Sequence, residues 1–464
     1  SGTVIRPYNS DVSPLTIYFN ENITGTSANI AVDQIFNGSS IPNQLNNNIR
    51  SFYLERGYML TLAVNEDGTG KSKVFIASEK DLEIHVLPNF LQQGGVSFLR
   101  VVPWNWVSKK GTGGDILGMD NSWFYRWSNQ GLSDLQREYT PMAWGFGAAN
   151  DDSDIELYKS KYKSTHVLGF NEPDDCEGQS GQYNHLCDVP VAISVYENLM
   201  KTGLRLVSPA CRQGAVFNWL NSFNQEAVEN DIRIDVIAVH WYDWGANPQG
   251  SPNANPNTIF NRFKTYLEDV YELYGLPIWI TEFNGNKYRS TETNRQFMEL
   301  AIPYLESVDF IERYAWFEPQ NITIAEDPGN GEFFDDAMNL TDIGTFYKNY
   351  QSTPSIPEDY YVGLNNLNDE VLTNQYTNTC NPVSSLSTPA DDYTQNVTLK
   401  VIPNPATKKI KIIFSEPIKS IKLYSITGSF INKQLINGYI DVSDLPIGVY
   451  FLSVNQYPIK FLKQ

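Results

Sequence analysis

Between about Trp104 and Tyr350, short Val/Ile-rich runs alternate with longer amphipathic stretches, and this rhythm limits the fold more than any other feature. Strands separated by helices cannot pair through tight hairpins, so they form parallel sheets with the helices as crossovers. Strands are expected at Trp104–Val107, Trp123–Trp127, Thr140–Trp144, His166–Phe170, Leu206–Ser208, Val236–His240, Ile278–Thr281 and Tyr314–Trp316. Apolar residues at helical spacing mark Ile155–Tyr162, Ala192–Thr202, Asn261–Tyr274 and Thr291–Ser307 between them. Eight such units in about 250 residues predict a (β/α)8 TIM barrel, here spanning residues 103–350.

The flanks have a different grain. Residues 1–102 read as short β-runs broken by Asn, Gly and Ser, and they contain a repeat. Thr16-Ile-Tyr-Phe-Asn-Glu-Asn-Ile-Thr-Gly25 aligns with Thr61-Leu-Ala-Val-Asn-Glu-Asp-Gly-Thr-Gly70, and Ile49–Leu54 echoes Val96–Val101. Two units of about 45 residues, each too small to bury its own sheet face, predict a paired all-β sandwich. Residues 351–398 fill with Asn, Asp, Ser, Thr and Pro and read as a linker. Residues 399–464 return to short strands, predicting a small C-terminal all-β sandwich.

The N-terminal repeat resembles the double Greek key of the βγ-crystallins over roughly residues 8–102. Asn47-Asn48-Ile-Arg-Ser51-Phe52 matches that family's calcium motif except at its last place, while Gln93-Gly94-Gly95-Val96-Ser97 lacks the paired Asn/Asp. The resemblance implies at most one structural calcium, at Asn47, Asn48 and Ser51. A plain turn at Asn46–Asn48 explains the same residues without an ion. The C-terminal segment, with Pro403-Asn404-Pro405 and the ending Lys460-Phe-Leu-Lys-Gln464, resembles a type IX secretion sorting domain. That resemblance implies recognition by an outer-membrane export machinery and a secreted or cell-surface protein of a Gram-negative bacterium. A carbohydrate-binding sandwich is the other reading of this segment.

Charge narrows the partners. With 34 basic and 53 acidic residues the net charge is −19, which disfavours nucleic acid, because phosphate contacts need clustered Lys and Arg. No apolar run approaches the roughly 20 residues that span a bilayer. The opening Ser1–Ser10 has no signal-peptide pattern and reads as a mature terminus. A monomer is expected. Four His without an HExxH pattern, and four Cys without zinc spacing, leave no metal site for catalysis and no catalytic cofactor. Cys176 and Cys187 share one loop; whether they pair is a matter of geometry that sequence leaves open.

Two carboxylates carry the chemistry. Gly169-Phe-Asn171-Glu172-Pro-Asp174 and Trp279-Ile-Thr-Glu282-Phe-Asn284 each put a Glu just past an apolar strand, at the face where barrel enzymes build their sites. At about 35 residues per βα unit, the pair falls on the fourth and seventh strands and converges over one mouth. Paired carboxylates are what glycosidic cleavage needs: one protonated to release the leaving oxygen, one ionised to attack the anomeric carbon. Each Glu alone has the alternative of an ordinary strand-end ion pair.

These motifs resemble the clan of retaining β-glycosidases with an Asn-Glu acid/base. Within it, Pro141-Met-Ala-Trp144-Gly, Leu168–Asp174, Ser208-Pro-Ala210, Ala238–Tyr242, Trp279–Phe283 and Arg313–Phe317 resemble glycoside hydrolase family 128 in order and spacing, over roughly Trp123 to Tyr350. The resemblance implies an endo-acting β-1,3-glucanase on a laminarin- or curdlan-type polysaccharide. Glu172 would be the acid/base, Glu282 the nucleophile and Asn171 the contact to the 2-hydroxyl. His240, Trp241, Tyr242 and Asn284 would line the cleft, and Trp144 and Trp316 would stack on sugar rings. Residues 175–188 and 102–120 depart from the family pattern, so an algal galactan or xylan stays open as substrate. A non-catalytic polysaccharide-binding protein is the alternative from another class.

Overall fold

The N-terminal repeat resolves into two four-stranded antiparallel sheets that share one core. Its strands are β1 (Leu15–Asn20), β2 (Thr24–Ile30), β3 (Ile35–Asn37), β4 (Ser51–Leu54), β5 (Tyr58–Ala63), β6 (Ser72–Ala77), β7 (Leu82–Ile84) and β8 (Phe98–Pro103). The computed structural model describes residues 11–318, 330–355 and 399–463, apart from 162, 404–405, 415–416, 426–429, 437 and 456. One sheet runs β2-β1-β4-β7 and the other β3-β8-β5-β6, so each half lends its third strand to the other half's sheet. In β1 the period-two alternation buries Leu15 and Ile17 against Phe52, Leu60, Phe75 and Leu99. Neither half could cover this core alone.

A buried polar seam joins these sheets to the next part of the chain. Arg100 on β8 donates to the carbonyls of Thr202 and Lys159 and pairs with Asp33. Thr61 donates to the Gly203 carbonyl at 2.8 Å, and Arg233 to Ser72 Oγ at 3.1 Å.

Eight parallel strands follow: β9 (Lys110–Gly113), β10 (Trp123–Tyr125), β11 (Glu138–Thr140), β12 (His166–Leu168), β13 (Arg205–Val207), β14 (Ile237–Tyr242), β15 (Ile278–Asn284) and β16 (Ile311–Trp316). Six form one sheet in the order β11-β10-β9-β16-β15-β14, and β12-β13 form another. Regular pairing is therefore not one closed ladder. Isolated parallel bridges lie at the two joints, Met142–Leu168 at one and Val207–Val236 with Cys211–Val239 at the other. The breaks have a local cause: β11, β12 and β13 are three residues long, and Pro141 and Pro209, which lack an N–H, lie just past two of their ends. Alternate residues face two separate cores. Val167, Leu206, Ile237, Val239, Ile278, Ile280 and Ile311 pack against the helices, whereas Trp123, Tyr125, Leu168, Val207, Ala238, Trp279 and Ala315 pack on one another.

The first parallel strand is Lys110–Gly113, not the expected Trp104–Val107. Its lysines hid it. Lys110 Nζ donates to the carbonyls of Tyr347, Lys348 and Tyr350, where helix Asp342–Asn349 ends, and Lys109 Nζ donates to Leu305, Glu306 and Val308 where helix Thr291–Ser307 ends. Buried ammonium groups thus satisfy the carbonyls left open at two helix C-termini. Gly111 is required because any Cβ there would lie 2.0 Å from the Trp123 ring.

At the strands' N-terminal ends sits a buried ionic network. Glu138 accepts from Thr165 and Arg313, while Arg205 donates to Glu312 and to the ring of His166. Burial drives His166 down to about 4, leaving it neutral at physiological pH. Burial alone would raise Glu138, but the Arg313 guanidinium overrides it and holds the carboxyl at about 2.

The chain divides into two units, Ser1–Cys380 and Asn381–Gln464. In the second, β17 (Leu399–Ile402), β18 (Lys409–Phe414) and β21 (Tyr439–Asp441) form one sheet. The other sheet contains β19 (Ile421–Ser425), β20 (Phe430–Ile431), β22 (Gly448–Val454) and β23 (Tyr457–Lys463). Val401, Ile410, Leu423, Leu452 and Phe461 belong to its core. The linker expected over residues 351–398 lies outside the described residues beyond Ser355. Among the described residues, no helix is long and apolar enough to cross a membrane.

Candidate active site

Glu172 and Glu282 meet at the C-terminal ends of the parallel strands, with His240 between them. One oxygen of each Glu and a ring nitrogen of His240 all lie within 4.8 Å of one another. His240 Nδ1 is 3.0 Å from Glu172 Oε1 and 3.6 Å from Glu282 Oε2. Two local distortions aim the carboxylates. Glu172 sits in the left-handed region (φ 45°), a conformation that costs a non-glycine residue about 1–3 kcal/mol and collects at functional sites. Its amide is fixed on the Ala210 carbonyl at 2.8 Å. In β15, Val239 pairs with Ile280 but His240 pairs with Glu282, so Thr281 is one residue too many. This bulge turns Glu282 toward the cleft, and the freed Thr281 carbonyl accepts the Tyr125 hydroxyl at 2.9 Å.

The two carboxylates have unlike surroundings. Both oxygens of Glu282 are held: Oε1 accepts the Trp127 indole N–H at 2.8 Å and Oε2 accepts the Tyr242 hydroxyl at 2.5 Å. Burial and the Glu282 charge push the Tyr242 phenol well above its ordinary range, so it stays a donor. Glu172 is the more exposed, at 16% of its side chain against 8% for Glu282. Burial pulls His240 down, but the facing carboxylates outweigh it and the net shift is upward. Its Nε2 is buried without a partner.

Asn171 is buried beside Glu172. Its Nδ2 donates to Gln179 Oε1 at 3.2 Å, and its Oδ1 has no partner. Asn284 instead serves the backbone, donating to the Phe317 carbonyl at 3.1 Å and accepting from the Asn286 amide at 2.8 Å. Trp144 is half-buried above the inner core and 6.0 Å from the Tyr183 ring. The Cys176–Cys187 disulfide is formed.

Two expected sugar contacts are corrected. Trp241 is 1% exposed and packs on Phe263 and Phe297 in the helix layer, away from the cleft. Trp316 is fully buried, and its indole N–H donates to the Gly331 carbonyl at 2.8 Å. Strand alternation explains both: with His240, Tyr242 and Ala315 turned inward, their neighbours turn outward. The same rule would have found Trp127, which shares a parity with Trp123 and Tyr125. Asp243 is buried between Arg289 and Arg262 and pins the loop after β14.

The three donors Glu172, His240 and Glu282 could in principle grip a divalent cation, but indole and phenol donors on Glu282 already stabilise its charge. The calcium trio offers a poorer set. Asn47 Oδ1 accepts the Ser97 hydroxyl at 2.6 Å, and the Ser51 hydroxyl is spent on the Asn20 carbonyl and the Ile23 amide. Asn48 donates to the carbonyls of Gln44 and Asn46. With no carboxylate and two oxygens committed, these residues as placed do not fit a hard cation that takes six to eight oxygens.

A chain whose parallel strands present two converging, differently solvated carboxylates has the working parts of a glycoside hydrolase. Residues 102–347 match the family described as glycosyl hydrolase catalytic core, and residues 400–463 match the secretion system C-terminal sorting domain. The first match takes in more than half of the chain, which belongs to the glycosyl hydrolase catalytic core family and is a glycoside hydrolase. The second marks a protein exported by type IX secretion, either secreted or held at the cell surface. The chain is similar to alkali-sensitive linkage protein 1 of Schizosaccharomyces pombe, with 24% identity over 269 residues, 54% of this chain and 44% of that protein. It thus spans less than half the length of that curated relative. Among solved structures, it is similar to a family 128 (subgroup I) endo-β-1,3-glucanase from Amycolatopsis mediterranei complexed with laminaritriose and laminaribiose. Identity is 26%, coverage 52% of this chain and 99% of that one, and the TM-score 0.42. A family 128 (subgroup II) endo-β-1,3-glucanase from Sorangium cellulosum gives 23% identity, 53% and 99% coverage and a TM-score of 0.42.

Proposed function

We propose that this enzyme is a retaining endo-glycosidase that cleaves β-1,3-glucan by double displacement. The observation that carries the reading is the pair Glu172 and Glu282, whose nearest oxygens lie within 4.8 Å. Retaining enzymes hold their carboxyl groups about 5–5.5 Å apart, whereas inverting ones leave about 6.5–9.5 Å for a water. Glu282, gripped at both oxygens, suits the ionised nucleophile; Glu172, more open and facing His240, suits the proton donor. Glu282 attacks the anomeric carbon as Glu172 passes its proton to the departing glycosidic oxygen. The resulting glycosyl ester is then hydrolysed by a water that gives its proton to Glu172, regenerating both residues. Asn171, with an unpartnered Oδ1, is assigned to the hydroxyl beside the reacting carbon.

In the same reading the eight parallel strands close as a (β/α)8 barrel, because their order runs in sequence around both bridged joints. The domains are then a βγ-crystallin-like pair of Greek keys (1–102), the barrel (103–350), a linker (351–398) and the sorting domain (399–464), in a monomer. The strand exchange between the two N-terminal sheets supports the first of these. The substrate class rests on the ordered barrel motifs around Trp144, Glu172, His240 and Glu282. Incubation with laminarin, curdlan, mixed-linkage glucan, agar, carrageenan and xylan, followed by chromatography of the products, tests it. Oligosaccharides from laminarin or curdlan are expected. Release from a galactan or xylan alone would overturn the β-1,3-glucan assignment.

A further inference from the structure

Residues 175–188, the segment with no counterpart in the motifs above, follow the proposed acid/base directly. The segment is built as a fixed wall. Cys176 and Cys187 close it, Leu186 is fully buried beneath it, and the Trp219 indole donates to the Cys187 carbonyl at 2.6 Å. Its inner turn lies hard against the strand end: Ser180 N–H donates to the Asn171 carbonyl at 3.2 Å. Gly181 admits no side chain, since a Cβ would sit 2.3 Å from the Pro173 carbonyl oxygen.

What this wall presents is an aromatic ring. Tyr183 is 52% exposed, and its nearest ring partner is Trp144. Trp144 packs on the inner core between the strands, and its carbonyl accepts the amide of Asn171, the residue before Glu172, at 3.0 Å. An open Tyr beside a half-buried Trp, one residue from the proton donor, is an apolar surface that water covers poorly and the C–H face of a pyranose covers well.

We propose that the disulfide-tied wall selects substrate: Tyr183, with Trp144, stacks a pyranose residue of the bound glucan further along the chain from the two rings that share the scissile bond. This rests on the reading that the cleft hydrolyses a β-glucan. A ring contact of this kind gains about 0.5–1.5 kcal/mol, a factor of about 2–12 in binding. The wall is a device for longer chains, because a ring stacked there must be linked through the backbone of the polymer to the one being cleaved.

The test uses the full chain and laminari-oligosaccharides of increasing length. Tyr183→Ala should raise KM on long chains about three- to tenfold, with a smaller rise on the shortest chain cleaved, while Tyr183→Phe restores it. The Cys176→Ser/Cys187→Ser variant should move KM the same way. Melting curves check that each variant folds. An unchanged KM at every length in Tyr183→Ala overturns the platform, and an unchanged KM in the double-serine variant overturns the part assigned to the disulfide. If the wild type cleaves none of these chains, the hydrolytic reading has failed, and retardation in a laminarin-containing native gel reads the platform separately. Weaker retardation of Tyr183→Ala than of the wild type supports it; equal mobility overturns it.

Discussion

Substituting His166 by Gln should flatten the acid sensitivity of the folded chain. His166 is fully buried among Thr165, Arg205, Trp104 and Trp279, and it stays neutral in the fold down to about pH 4. In the unfolded chain the same ring takes up its proton near pH 6.5. Between those values the unfolded state holds more protons, so stability is present above pH 6.5 and drains away as pH falls toward 4. The gap between those values corresponds to about 3 kcal/mol, or a loss of about 6–12 °C in melting temperature for a domain of this size. Glu138, held at about 2 against an ordinary 4.5, adds a further loss of the same sign below pH 4.5. Thermal melts of wild type and His166→Gln from pH 7 to pH 4 measure the difference in slope. Gln lowers stability at pH 7 by removing ring contacts, but the wild type should lose about 3 kcal/mol more than the variant on acidification. Parallel curves would refute the neutral buried histidine.

Four further outcomes are expected. Tyr242→Phe removes a hydrogen bond to a charged oxygen worth about 1.5–3 kcal/mol, so kcat/KM should fall about 10- to 100-fold; a near-wild-type value would detach Tyr242 from the chemistry. Lys110→Met strands three helix-end carbonyls and should cost about 2–4 kcal/mol in urea unfolding. Burial lifts Glu318 to about 7, so the native state holds the extra proton and stability falls as pH climbs from 4.5 through 7. Glu318→Gln should therefore be the more stable protein at pH 8, by about 2–3 kcal/mol, with the advantage gone at pH 5. Removing residues 399–464 should leave turnover on soluble substrate intact, since Trp127, Asn171, Glu172, His240, Tyr242 and Glu282 all precede residue 285; clear loss would make that segment part of the catalytic unit.

The positions of Glu172 and Glu282 were legible because each closes a short apolar run, and the end of a parallel strand leaves a side chain few places to go. The left-handed backbone at Glu172 and the bulge at Thr281, which aim the carboxylates, have no mark in composition or periodicity. Lys110–Gly113 was illegible as a strand because hydropathy treats lysine as solvated, whereas here the ammonium groups end two helices. Trp241 and Trp316 depart from expectation for a simpler reason. The family resemblance implies a cleft position for Trp241 and sugar stacking for Trp316, but parity along β14 and β16 turns both outward, and the same parity continued from β10 turns Trp127 inward. Tyr183 lies in a loop, where no period exists, and its place is fixed by the disulfide, by the close approach of Gly181 to Pro173 and by local backbone hydrogen bonds.

The most direct test of the central claim is the anomeric configuration of the first product, followed by proton NMR during cleavage of a β-1,3-glucan oligosaccharide. A retaining pair at this separation predicts that the β-anomer accumulates first and mutarotates afterwards. An α-anomer formed first would mean direct attack by water, and would contradict the assignment of Glu282 as nucleophile.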